Sequence, residues 1–182
     1  MFDFLKLNKK EDKLITYLGL MRCIMTIDNE FHEQERIYVE RFIINQDLDD
    51  KTRKSVANKV KDLNLDQLIE RVKSLSADDQ NDLLNKLIKI SSLDGDIDGK
   101  EAYLIAFLAN TMGMNVSNVV SYMVNNYNFN EKVLQNEIDR INNQYSQPAN
   151  PFNNNANPTP KRKVSSSNVI GYMRHSKLNS RK

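Results

Sequence analysis

Two short acidic stretches hold most of the side chains that could do chemistry in this chain: Asp28 to Glu35, DNEFHEQE, and Asp94 to Glu101, DGDIDGKE. In the second, Asp94, Asp96 and Asp98 alternate and Gly99 follows, which imitates the opening of a loop whose oxygens wrap a hard cation. Counted from Asp94, the eighth position is Glu101, where an apolar residue belongs, and the twelfth is Ile105, where a bidentate Glu would close the cage. The stretch alone therefore falls short of a shell of about six to eight oxygens. Asp28, Glu30 and Glu35 would supply the remainder if the fold brings the two stretches together. The candidate metal set is thus Asp94, Asp96, Asp98, Glu101, Asp28, Glu30 and Glu35, and the cation it would take is calcium or magnesium. A structural account competes with it. Asp98 caps a helix, Glu101 reciprocates three residues later, and acids gain beside a helix N-terminus whose positive end disfavours a cation.

Catalytic chemistry finds little to work with. A nucleophile needs an adjacent base, and the first 145 residues hold one cysteine, Cys23, and one histidine, His32, nine residues apart in different helical segments. Cys23 lies among apolar residues and reads as an inert packed thiol. Glu-x-x-His motifs of di-iron bundles and phosphate-cradling glycine loops are missing from a chain with only five glycines. The expectation is a protein without enzymatic activity. Tyr38, Tyr103 and Tyr122 fall at helical spacing and read as core or groove lining rather than a stacking platform for bases.

The two octets share the order Asp, Gly or Asn, acid, apolar, three variable residues, Glu, at an offset of 66 residues. Outside them Ile24 answers Ile90, Ile27 answers Leu93, Ile37 answers Tyr103 and Phe42 answers Leu108. A repeated supersecondary unit follows. Apolar residues recur at helical spacing up to Ile141, and no proline occurs before Pro148. The fold class is therefore all-α, an internally duplicated bundle of about eight helices. The helices are expected near 11–27, 33–45, 51–63, 67–75, 77–93, 98–113, 116–126 and 131–144. Ile37, Phe42 and Ile44 should face inward on the second, and Leu83, Leu84, Leu87 and Ile88 on the fifth. Ser76 with Asp79, Asp98 with Glu101, and Asn130 mark helix starts. The two long hairpins should pack together as a central bundle, with each octet forming the turn of its hairpin. Gly95 takes a positive φ there without steric cost, and Asn29 is the next best residue at the equivalent place.

Charge divides the chain. Residues 1 to 145 carry 19 basic and 24 acidic side chains, and residues 146 to 182 carry seven basic and none acidic. The reading is a helical domain over 1–145, a disordered Asn- and Pro-rich linker over 146–168, and a basic tail over 169–182 whose VIGYMRHSK stretch orders on a partner. That tail would meet an acidic protein partner, anionic lipid, or the acidic body of its own chain. The acidic body should repel nucleic acid. The NPF triplet at Asn150 to Phe152 arises easily in Asn-rich sequence and carries no weight. A single cysteine and the lack of an apolar run of ~20 residues point to a cytoplasmic protein. Two alternatives to a scaffold stand beside this: a calcium- or magnesium-sensing protein in which the cation itself is the signal, and a peripheral membrane adaptor that uses Phe2, Phe4, Leu5, Leu7 with nearby lysines and the basic tail, against simple docking of those apolar residues on the domain.

The pattern KISSLDGDIDGKEAYLIAFLANTMGM, from Lys89 to Met114, resembles the TerB-like family, which includes bacterial tellurite-resistance TerB proteins and the amino-terminal domain of DjlA co-chaperones. The resemblance covers residues 10 to 145 and rests on the acidic octets with their apolar flanks. It implies an α-helical, internally duplicated fold, a stress-response or membrane-surface scaffold role with a protein partner, and a cation site at the acidic turns. The family's acidic positions fall on Asp94 and Glu101 and on Asp28 and Glu35. Two departures stand out: His32 occupies a helix-cap position, and neither His32 nor His175 begins the His, Pro, Asp triplet of a J domain.

Overall fold

The computed structural model describes residues 2–27 and 32–146. Among these every regular element is a helix: α1 (Phe2–Ile24), α2 (Glu33–Ile44), α3 (Asp50–Asp62), α4 (Leu65–Lys73), α5 (Ala77–Ser91), α6 (Gly99–Thr111), α7 (Val116–Asn126) and α8 (Glu131–Ser146). The all-α reading holds, and α7 has the bounds expected from its sequence. Asp28 and Glu30, the linker and the basic tail lie outside the described residues. The opening residues continue α1 rather than forming a separate short helix.

Side-chain caps explain where most helices begin. Ser76 accepts from the Asp79 amide at 3.2 Å and opens α5, while Asn130 accepts from the Lys132 amide at 3.0 Å and opens α8. Asp49 and Asn64 do the same for α3 and α4, accepting from Thr52 at 2.8 Å and Gln67 at 3.0 Å. These two caps start α3 and α4 one and two residues earlier than apolar spacing alone suggests.

The duplication is visible bond by bond. α2 and α6 start at Glu33 and Gly99, α3 and α7 at Asp50 and Val116, α4 and α8 at Leu65 and Glu131, each pair 66 residues apart. α1 ends in two tightened i→i+3 bonds, Thr26 N–H to Cys23 O and Ile27 N–H to Ile24 O, both 3.3 Å. α5 ends in their equivalents, Ser92 to Lys89 at 3.3 Å and Leu93 to Ile90 at 3.0 Å. Those bonds close α5 at Ser91, two residues before the expected end.

Packing departs from the expected pair of equivalent hairpins. α1 is central to the first half and lies against α3, α4 and α5, whereas in the second half α6 takes the centre, against α5, α7 and α8. α6 is buried without interruption from Glu101 to Ala109. α2, its counterpart, buries only Glu35 fully and has α5 as its main neighbour. Phe42 stacks on Tyr17 with ring centroids 6.1 Å apart, but Ile44, expected to face inward, is 67% exposed at the last position of this edge helix. α5 buries Leu83, Leu84, Leu87 and Ile88 as anticipated. It is fixed to α1 by the Tyr17 hydroxyl, which donates to Asp79 O at 2.6 Å. Gly19 lets α1 and α4 approach, since a Cβ there would come within 2.4 Å of Leu68 Cδ2. No helix among the described residues is long and apolar enough to cross a membrane.

Candidate functional site: the paired capping glutamates

The loop from Ser92 to Asp98 joins α5 to α6 and is shaped by two residues. Gly95 adopts φ 126°, a backbone conformation that side chains rarely permit, and Ile97 turns inward to the core. Asp98 then caps α6, its Oδ1 accepting from the Lys100 amide at 2.6 Å and the Glu101 amide at 2.8 Å. Glu101 completes the capping box by accepting from the Asp98 amide at 3.1 Å. In the first half Glu35 makes the same reciprocal bond to the His32 amide at 3.3 Å. Glu35 thus holds in the first half the place that Glu101 holds in the second.

Both glutamates are buried, Glu35 at 4% and Glu101 at 6% exposure. Their environment is shared. Burial pushes the Glu101 carboxyl up to about 9; the Asp98 amide bond opposes this, and the charges of Asp98, Glu35 and Asp94 add to the rise. Glu35 belongs to the other half of the molecule, so the fold does bring carboxylates of the two halves together. A second link crosses between the halves at the surface, where His32 Nε2 lies 3.4 Å from Asp94 Oδ2.

The three alternating aspartates do not act as one cage. Asp94 faces His32, Asp96 accepts from the Asn128 side-chain amide of the α7–α8 loop, and Asp98 is directed into the first turn of α6. Among the described residues no group of three or more His, Cys, Asp or Glu side chains converges in a metal-holding arrangement. What the site does present is a buried carboxylate pair, Glu35 and Glu101, with Asp94 and Asp98 beside it. At neutral pH such a cluster calls for a proton or a cation, because adjacent buried negative charges cannot all remain uncompensated. Cys23 is no rival centre: burial pushes its thiol up to about 11, away from the reactive thiolate.

Sequence reasoning assigned the capping roles of Asp98 and Glu101 and missed two features. The His32–Asp94 link joins residues 62 positions apart and has no local signal. The second is a stretch without any charged side chain, Ala102 through Asn130, in a chain where 27% of residues are charged. It was legible as composition and covers α6 from Ala102 onward and the whole of α7.

No characterised protein and no solved structure matches the chain significantly. The family model of tellurite resistance protein TerB matches residues 14–123, a span that contains both capping boxes, the buried glutamates and the α5–α6 turn. With more than half its length matched, and with the duplicated all-helical architecture in place, this chain belongs to the TerB family.

Proposed function

We propose that this protein is a non-enzymatic TerB-family interaction module, a scaffold of the stress-response type, whose facing acidic turns take up a weakly held divalent cation. The observation that carries the reading is the juxtaposition of Glu35 and Glu101, two buried carboxylates contributed by equivalent capping boxes of the two halves. A cation beside them would replace the proton that Glu101 otherwise keeps, and Asp94 at the surface offers an entry point. The helix ends pointing at the same carboxylates weaken the site, so the expected affinity is low, in the range of about 10⁻⁴ to 10⁻³ M. Cation occupancy would tie α2 to α6 and thereby set the spacing of the helices that meet a protein partner.

Titration of the full chain with calcium and with magnesium tests this. A melting-temperature gain and saturable amide shifts confined to 32–36 and 94–101 at millimolar cation are expected, and both should vanish in Glu101→Gln. Absence of heat, shifts and stabilisation at millimolar calcium and magnesium would reduce the cluster to helix capping alone.

A further inference from the structure

A small, mostly apolar cleft of about 50 Å³ opens where α6, α7 and α8 meet, lined by Tyr103, Ala106, Phe107, Asn110, Val116, Leu134 and Ile138. No lining side chain is charged. The internal duplication provides a control for how unusual that is. At the first-half equivalents of the lining positions, Ile37, Ile44, Leu68 and Val72 are apolar, but Glu40, Arg41 and Asp50 stand where the second half has Ala106, Phe107 and Val116. The second half alone leaves this position without a charge.

From this geometry we infer that the cleft is the docking site for the chain's own segment Val169 to Met173. Three observations identify this occupant. The first is position: α8, which forms one wall through Leu134 and Ile138, ends at Ser146, and the chain continues from there. Ile138 is eight residues before that end, about 12 Å along the helix axis. The connection 147–168 is 22 residues long, and a chain of that length reaches about 25 Å even at random-coil dimensions, enough for the return. The second is chemistry. Val169, Ile170, Tyr172 and Met173 form a short apolar cluster, of a size to place one or two side chains in so small a hollow without desolvating a charge. The third is charge complementarity. Residues 146–182 hold seven basic and no acidic side chains against 19 basic and 24 acidic in residues 1–145, and α8 itself carries Glu131, Glu137 and Asp139 against Lys132 and Arg140. A basic segment carrying Arg174 and Lys177 is therefore drawn to this body rather than repelled by it. Tethering supplies an effective concentration on the order of millimolar, so even a weak contact would be populated.

This docking does not depend on the cation reading and is tested in chelator on the full chain. Backbone amides of Val169 to Met173 should exchange with solvent at least roughly fivefold more slowly than those of Asn153 to Asn155. Methyl resonances of Val116, Leu134 and Ile138 should move in Ile170→Glu and Met173→Glu, which alter none of the helical residues 2–146. Val116→Asp, which installs the first-half residue at a helix N-terminus that favours it, should abolish the protection while leaving the helical content unchanged. Coil-like exchange of Val169 to Met173 in the unaltered chain would overturn the proposal. So would protection that disappears on dilution, since the occupant would then be the segment of a second copy.

Discussion

The two halves of this molecule share the starts of three helix pairs, helix-ending bonds and capping glutamates, yet they place their burial in different helices. In the first half α1 is central and α2 lies at the edge; in the second α6 is central and buried along nine consecutive residues. The surface helices diverge as well. α3 carries seven charged residues, Asp50, Lys51, Arg53, Lys54, Lys59, Lys61 and Asp62, while α7 in the same position carries none. The difference teaches that a duplicated backbone can be held constant by caps and turns while side chains assign separate tasks to its copies. The first copy fills the centre with α1 and surrounds it with charged surface helices, and the second fills it with α6 and leaves an apolar cleft.

The strongest way to break this comparison is to truncate equivalent residues of α2 and α6. Ile105 is fully buried, and Ile105→Ala should cost about 2–5 kcal/mol of unfolding free energy in a denaturant titration. Val39, its equivalent 66 residues earlier, is half-buried, and Val39→Ala should cost about 1 kcal/mol or less. Equal losses would show that α2 contributes as much to the core as α6, and the asymmetry of burial would have no energetic meaning.

The facing glutamates allow a sharper test because they couple the halves. The folded value of Glu101, about 9, lies above its ordinary 4.5. Below about 4.5 the folded and unfolded chains are both protonated at this group, and it has no effect on stability. Between 4.5 and 9 the unfolded chain ionises while the folded one keeps its proton, so stability falls as pH rises, by up to about 1.4 kcal/mol per pH unit. Glu101→Gln should remove that slope in chelator and make the protein more stable than the parent at pH 8. Glu35→Gln removes one of the charges that raise Glu101, so the upper end of the window should move to lower pH. A pH profile unchanged by Glu35→Gln would mean that the halves do not communicate through this pair.

How far these features were legible depends on how local they are. Helix starts at Ser76, Asp98 and Asn130 rest on bonds spanning two or three residues, and the sequence pattern is enough to find them. The repeat was legible because both octets keep their spacing. The choice of central helix was not drawn from the apolar pattern, since α2 and α6 both show helical spacing. It follows instead from what lies between the apolar positions: Arg36, Glu40 and Arg41 in α2, against Ala102, Ala106 and Ala109 in α6, small residues that let neighbours close in on every side. At the candidate site, the capping roles of Asp98 and Glu101 are written in the chain. The approach of Glu35 to Glu101, the His32–Asp94 link and the turn of Asp96 toward Asn128 depend on how the halves pack, and spacing along the chain carries no information on it.

The smallest expected effect concerns the ends of α2 and α6, where the halves solve one backbone problem with different residues. Gly113 has φ 73° just past α6, and Asp47, 66 residues earlier, has φ 50° past α2, the only non-glycine residue with a positive φ among those described. Space is not the constraint at Gly113, because a Cβ there would meet nothing within 4 Å. Its cost would be the left-handed backbone itself, so Gly113→Ala should lose about 1 kcal/mol. Asp47→Gly relieves that same conformation but gives the unfolded chain more freedom, and the two effects nearly cancel, leaving a change of about 0.5 kcal/mol or less. Thermal unfolding of the two variants decides the matter. If Gly113→Ala is neutral, the left-handed residue is not what ends α6, and the shared geometry of the two helix ends would then be imposed by packing of the following helices rather than by local backbone preference.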